Sequence, residues 1–182
     1  KFTPVPFKEE DIWNGYPEET NAPYGIAKKT LMELLIAYNK QYDFNCTNLI
    51  PVNMYGPNDN FDPAKSHVIP ALILKFARAI EDNDSSVELW GTGSASREFL
   101  YVDDCASAIS LCLETDTTPH PINIGTCSEI TIRKLAETLS EIMGYEGEIK
   151  FNSDYPDGQP RRCLDTSRAY KVLGFQAKTE LY

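Results

Sequence analysis

The sequence predicts an α/β fold built on a parallel sheet, and three observations carry that expectation. A helical pattern over residues 21–42 leads into Cys46 to Tyr55, an apolar stretch with the length and make-up of a buried strand. Helical and apolar strand-like segments keep alternating along the chain, the rhythm of parallel sheets with crossover helices. The strands run into turn clusters, Gly56-Pro57-Asn58-Asp59-Asn60 after the first and Gly91-Thr92-Gly93 further on. Ligands of such sheets sit beyond the carboxyl ends of the strands, so these turns are where binding loops are expected.

The elements follow in order. Residues 1–20 are polar, carry Pro4, Pro6 and Pro17, and show no periodicity, so a loop or surface segment is expected. Asn21 to Tyr42 reads as a helix: Pro23 suits its first turn, and Ile26, Leu31, Leu34, Leu35 and Tyr38 recur at helical spacing. Met32 and Ile36 make it apolar on more than one side, which predicts burial against a sheet plus a second contact such as another subunit. Val68 to Ile80 reads as a second helix with Leu72, Ile73, Phe76 and Ile80 as its stripe. Val87 to Trp90 and Glu98 to Val102 read as short strands; Asp103 or Asp104 caps the helix that follows, to about Glu114. Pro121 to Gly125 is a short buried strand, and Thr131 caps a helix that Gly144 ends. Glu148 to Phe151 is a strand, Asp154 to Arg162 a loop, and Ser167 to Leu173 a helix stopped by Gly174.

The chain has 182 residues, enough for a sizeable core, and a net charge of −10 without a basic run. That balance argues against nucleic acid or an anionic membrane as partner, and an anionic substrate would need a local basic cluster. Five cysteines in no Cys-x-x-Cys pair read as reduced, mostly buried thiols of a cytoplasmic protein. His67 and His120, the two histidines, give no zinc-ligand spacing. Neither a signal-peptide pattern nor a membrane-spanning apolar run is visible.

The chemistry begins at Asn21-Ala22-Pro23-Tyr24-Gly25-Ile26-Ala27-Lys28. Residues four apart share a helix face, so a phenol and an ammonium are predicted side by side. The ammonium favours the phenolate, which gives a usable proton donor and acceptor; Lys28 as a solvated surface lysine is the plainer reading. His67, just before the second helix, reads as a structural hydrogen-bonding residue, and the helix N-terminus would leave its imidazole neutral. Arg97 follows a glycine-rich turn and is a surface arginine or a diphosphate ligand. Trp90, at a strand end, is core or a platform for a base or sugar. Asp157 flanks Gly158 in a loop, where turn geometry alone favours aspartate. No Gly-x-Gly-x-x-Gly or Gly-x-x-Gly-x-x-Gly occurs, so a complete dinucleotide-binding half is missing from these residues.

Pro23-Tyr24-Gly25-Ile26-Ala27-Lys28, residues 51–61 (PVNMYGPNDNF), residues 66–72 (SHVIPAL), Trp90-Gly91-Thr92-Gly93, residues 97–104 (REFLYVDD) and Pro156-Asp157-Gly158 carry a resemblance. Together, and in this order, they resemble the extended short-chain dehydrogenase/reductase family, in its branch that epimerises and reduces GDP-keto-sugars. The resemblance spans nearly the whole chain. It implies the distal part of a Rossmann-type parallel sheet (residues 1–56 and 98–125, NADP-binding) and a smaller mixed α/β substrate domain (57–97 and 126–182).

The resemblance also implies chemistry. GDP-4-keto-6-deoxy-D-mannose would be epimerised at C3 and C5, then reduced at C4 with NADPH. Tyr24 would protonate the C4 oxygen, Lys28 would assist it and hold the nicotinamide ribose, and His67 would reprotonate carbon. Lys28, Pro51, Val52, Asn53, Met54 and His67 would meet the cofactor, and Lys75, Trp90, Arg97 and Asp157 the GDP-sugar. A homodimer through the helix that bears Tyr24 is implied as well. The family's glycine-rich region, catalytic serine and cysteine base would precede Lys1, so the 182 residues alone are expected to lack reductase activity.

Overall fold

The computed structural model describes residues 3–115 and 118–181. Their elements are α1 (Ala22–Tyr42), β1 (Asn48–Pro51), β2 (Asn53–Tyr55), α2 (Val68–Glu81), β3 (Ser86–Trp90), β4 (Ser96–Tyr101), α3 (Val102–Glu114), β5 (Pro121–Ile124), β6 (Glu129–Thr131), α4 (Ile132–Met143), β7 (Glu148–Asn152) and α5 (Ser167–Leu173). Two short 3-10 turns, Glu9–Trp13 and Glu19–Asn21, precede α1. The chain divides into two compact units, the first made of residues up to Met54, Glu98–Ser128 and Arg162–Leu181, the second of Tyr55–Arg97 and Glu129–Arg161.

In the first unit β1 and β5 pair in parallel, from Asn48 opposite Pro121 to Pro51 opposite Ile124. Leu100, Cys105, Ala108, Ile122, Ile124, Ala169, Leu173 and Phe175 form one buried cluster. That cluster explains a departure from the expected division, in which residues 126–182 stay together. Ala169, Leu173 and Phe175 bury with Leu100, Ile122 and Ile124, so Arg162–Leu181 returns to the first unit. Each large apolar side chain fully buried in this way contributes about 1.5–3 kcal/mol.

A buried carboxylate ties this unit together. Glu98 has no exposed surface. One of its oxygens accepts from Thr126 N at 2.5 Å and Cys127 N at 2.7 Å, the other from Leu164 N at 2.7 Å. One side chain therefore joins β4 to the turn after β5 and to the segment before α5. Gly125 leaves room for it, because a Cβ there would collide with the Glu98 carboxylate.

Three expectations need correction in this unit. The segment before α1, outside the undescribed residues 1 and 2, is not a plain surface loop. Glu9 is buried and accepts from Asn123 N at 2.9 Å, while Asn123 Nδ2 donates to Phe7 O at 2.9 Å. A charged residue in a proline-rich stretch gives no local sign that it will satisfy a buried amide over a hundred positions away. Second, α3 has Tyr101 at its N-cap without a side-chain cap. The Asp104 carboxylate instead accepts from Lys178 N at 3.1 Å and Thr179 N at 2.9 Å, fastening the C-terminal segment. Third, α1 is not buried: Ala22 is its one buried residue, and Ile26, Leu31, Leu34 and Tyr38 are exposed.

In the second unit β3 and β7 pair in parallel, Ser86 opposite Glu148 through Trp90 opposite Asn152. Alternation puts Val87 and Leu89 inside and Glu88 and Trp90 outside. Helices α2 and α4 pack on one another. Phe76, wholly buried, meets Tyr145 with ring centroids 5.4 Å apart. Thr131 Oγ1 caps α4 by accepting from Lys134 N at 3.1 Å, and Gly144 ends it at φ 70°. β6 was not expected; its three residues are too few for a visible period. The five cysteines are not paired with one another in disulfides; Cys105 and Cys163 are buried and Cys127 is exposed. Burial pushes the Cys105 and Cys112 thiols up.

Candidate active site

The second unit gathers four of the predicted residues near the carboxyl ends of one strand pair. Trp90 and Asn152 are the last residues of β3 and β7 and lie opposite each other. The turn after β3 is held on both sides. Gly91 N donates to Asn152 O at 2.9 Å, and Arg133 N donates to Gly93 O at 2.9 Å. Gly91 and Gly93 adopt φ of 81° and 75°. A Cβ would strike the Asp157 carboxylate from the first and the Phe151 ring from the second, so both glycines are required twice over.

Asp157 fastens the loop after β7 to this turn. Its Oδ1 accepts from Thr92 N at 2.7 Å and its Oδ2 from Thr92 Oγ1 at 2.7 Å. Turn geometry alone does not describe this aspartate. The Thr92 hydroxyl and amide hold its carboxyl below the usual carboxylate range. A lowered folded value means that the tie is present above the unfolded value of about 3.9 and is lost as pH falls through the lower folded one. The Thr92 amide is therefore expected to stay protected from hydrogen exchange down to about pH 4 and to lose protection only below it. Loss of protection between pH 5 and 7 would contradict the assignment.

Around this frame stand the other side chains. Lys75, on α2, donates Nζ to Glu88 O at 2.9 Å, and its ammonium lies 5.8 Å from the centre of the Trp90 ring. Trp90 is 65% exposed, which excludes a core role. Arg97 is half-buried and donates Nη1 to Gln159 O at 2.7 Å and Ser96 O at 2.6 Å. It is therefore not a loose surface arginine. Arg161 pairs with Glu129, whose carboxyl it holds below the usual range with help from Ser96. His67, exposed, is the N-cap residue of α2, and its carbonyl accepts from Ala71 N at 3.0 Å.

The first unit carries the rest. Tyr24 and Lys28 sit in the opening turns of α1, and the Lys28 ammonium lies 5.5 Å from the centre of the Tyr24 ring. The predicted pairing across one helical turn thus forms. Tyr24 is 67% exposed. Pro51 ends β1, and Val52 N donates to Ile124 O at 2.9 Å, so the backbone of Pro51, Val52, Asn53 and Met54 lies at the carboxyl end of the β1·β5 pair. Asn53 Nδ2 donates to Glu98 O at 3.4 Å, and Met54 is 43% exposed.

Sequence reasoning missed two partners. Thr92 gives both hydrogen bonds to Asp157. Tyr155 stacks on Trp90 with ring centroids 4.6 Å apart and planes 12° from parallel. The available signal was an aromatic residue set in an otherwise polar loop just past a strand end. Among the described residues no group of histidine, cysteine or carboxylate side chains could hold a metal ion.

Parallel strand pairs whose carboxyl ends carry the polar loops, with a helix before β1, place the chain in the Rossmann-type α/β class. The sequence model of the NAD dependent epimerase/dehydratase family matches residues 1–125, and the chain belongs to that family. It is 41% identical over 181 residues to GDP-L-fucose synthase of Escherichia coli K12, covering 94% of this chain and 56% of that protein. It is likewise 41% identical to GDP-L-fucose synthase 1 of Arabidopsis thaliana, covering 100% and 56%. Among solved structures, the GDP-L-fucose synthetase of Naegleria fowleri bound to NADP matches at TM-score 0.88 and 28% identity, over 98% of this chain and 58% of that one. The GDP-mannoheptose C4 reductase of Campylobacter jejuni with NADP bound matches at TM-score 0.85 and 30% identity, over 99% and 62%. The chain spans little more than half the length of the curated relatives it matches.

Proposed function

We propose that the protein is a nucleotide-sugar 3,5-epimerase/4-reductase, taking GDP-4-keto-6-deoxy-D-mannose to GDP-L-fucose with NADPH. The observation that carries the proposal is the Tyr24–Lys28 pair on α1, in a chain that matches GDP-L-fucose synthases from end to end. NADPH would supply hydride to C4. The β1 strand end (Pro51, Val52, Asn53, Met54) and Lys28 suit its nicotinamide-ribose end: a chain segment past the end of a parallel strand, with a cation beside a phenol. The 182 residues hold no glycine-rich phosphate motif, so only that end of the cofactor is assigned here.

The residues then have separable tasks. The C4 ketone acidifies the hydrogens on C3 and C5, so a base, which the resemblance places before Lys1, can take a proton from one face to leave an enolate, and a second group must supply a proton from the opposite face. His67 supplies that proton to carbon and is reprotonated from solvent. Tyr24 Oη gives its proton to the C4 oxygen as hydride reaches C4, and Lys28 offsets the negative charge left on the phenol. Lys75 and Arg97 supply positive charge for the diphosphate of an acidic chain, Trp90 a ring surface, and Asp157 the loop that frames it. The exposed apolar residues of α1 suit a second copy of the chain, and we read the protein as a cytoplasmic homodimer. No helix among the described residues is long and apolar enough to cross a membrane.

A second reading, another nucleotide-sugar epimerase, is favoured by the match to UDP-glucose 4-epimerase of Thermotoga maritima at TM-score 0.82 and 29% identity. His67→Asn separates the two. Under our reading it lowers solvent deuterium incorporation at C3 and C5 of the keto-sugar roughly 10²-fold or more. Unchanged incorporation removes His67 from the mechanism.

A further inference from the structure

We propose that Tyr155 is a positioning residue of the nucleotide-sugar site: it holds the Trp90 indole in the orientation that a ligand meets. The inference rests on the reading of Trp90 as a substrate-binding residue and adds a residue to that site. Tyr155 is placed by three features of the second unit. β3 and β7 end in register at Trp90 and Asn152. Past Asn152 the chain turns sharply: Asp154 N donates to Asn152 Oδ1 at 3.0 Å and Tyr155 N to Asn152 O at 3.4 Å. Two residues later Asp157 is fixed to Thr92. Tyr155 is thus pinned between two anchors, and its ring lies flat on Trp90.

An exposed tryptophan at a strand end would otherwise change rotamers freely. Burial does not restrain it, since 65% of its surface is open. The restraints that the structure shows are the Tyr155 ring and the Lys75 ammonium. Freezing a mobile side chain on binding costs affinity, and a stacked neighbour removes that cost in advance. The ring does this and the hydroxyl does not, so phenylalanine should serve as well as tyrosine. Tyr155 is 41% exposed, so its removal should leave the fold intact.

The test uses protein expressed from its complete gene and GDP-L-fucose as the titrant. Tyr155→Ala is expected to raise Kd, and KM for the keto-sugar, by roughly five- to tenfold with kcat held, while Tyr155→Phe matches the parent. Trp90→Ala should weaken binding at least as much, and the double variant Trp90→Ala/Tyr155→Ala should equal Trp90→Ala, because Tyr155 acts through Trp90. Labelling with 5-fluorotryptophan gives an independent readout: the Trp90 fluorine signal should sharpen toward a mobile side chain in Tyr155→Ala. An unchanged Kd in Tyr155→Ala, additive losses in the double variant, or an unaltered Trp90 signal each overturns the proposal. If Trp90→Ala itself leaves binding unchanged, the placement of the substrate at Trp90 fails, and this inference falls with it.

Discussion

Tyr24→Phe in protein from the complete gene is expected to lower kcat for reduction of the keto-sugar by about 10²- to 10⁴-fold, the usual worth of a positioned acid. The substitution deletes one oxygen from a ring that is 67% exposed, so thermal stability should not move. What is lost is the proton that the C4 oxygen needs when hydride arrives. Lys28 lies 5.5 Å from the Tyr24 ring centre, so Lys28→Met should reproduce much of the loss. Epimerisation at C3 and C5 should persist in Tyr24→Phe, because the proposed function gives the acid that serves carbon to His67. Steady-state NADPH oxidation and deuterium exchange into the sugar measure the two halves separately. Equal loss of both in Tyr24→Phe would show that the division of labour is wrong.

The largest expected effect on stability is at Glu98. Glu98→Ala leaves three backbone amides, Thr126, Cys127 and Leu164, without their acceptor in a site with no solvent exposure at the carboxylate. The three bonds are part-buried, so each stranded donor is set at the lower end, about 1–2 kcal/mol, and the loss should reach about 3–6 kcal/mol, a large part of an ordinary domain's stability. Glu98→Gln keeps one oxygen. Turned toward Thr126 and Cys127, it preserves two bonds and points its NH2 at Leu164, so it should cost about 1–3 kcal/mol. Urea unfolding should report both as shifts in midpoint with an unchanged slope. A Glu98→Ala protein within 1 kcal/mol of the parent would mean that the amides find water or another acceptor.

The contrast between those two positions shows what a sequence discloses. Local rules were visible. Thr131 and Gly144 bounded α4, Gly174 stopped α5, and Tyr24 with Lys28 shared a turn because four residues make one. Val87 to Trp90 was legible as a strand, but which side of it is open was not, since Trp90 read as core or as a platform. Long-range polar ties were not visible, because nothing near Glu98, Glu9 or Asp104 names a partner tens of residues away. Asp104 illustrates the difficulty: a capping role is the local reading, and Lys178 and Thr179 outcompete it. The apolar surface of α1 was legible as composition, but its burial was not. Apolar residues state that a partner is wanted without stating which. Tyr155 escaped because the register of β3 with β7, not sequence spacing, brings it to Trp90.

The proposed function requires one protein both to epimerise and to reduce a GDP-keto-sugar with external NADPH. Mixing protein from the complete gene with GDP-4-keto-6-deoxy-D-mannose and NADPH, and following absorbance at about 340 nm beside the sugar product, tests it most directly. The account predicts one NADPH oxidised for each GDP-L-fucose formed, with C3 and C5 inverted. Turnover of the keto-sugar without net NADPH oxidation, or reduction at C4 with C3 and C5 unchanged, would contradict it.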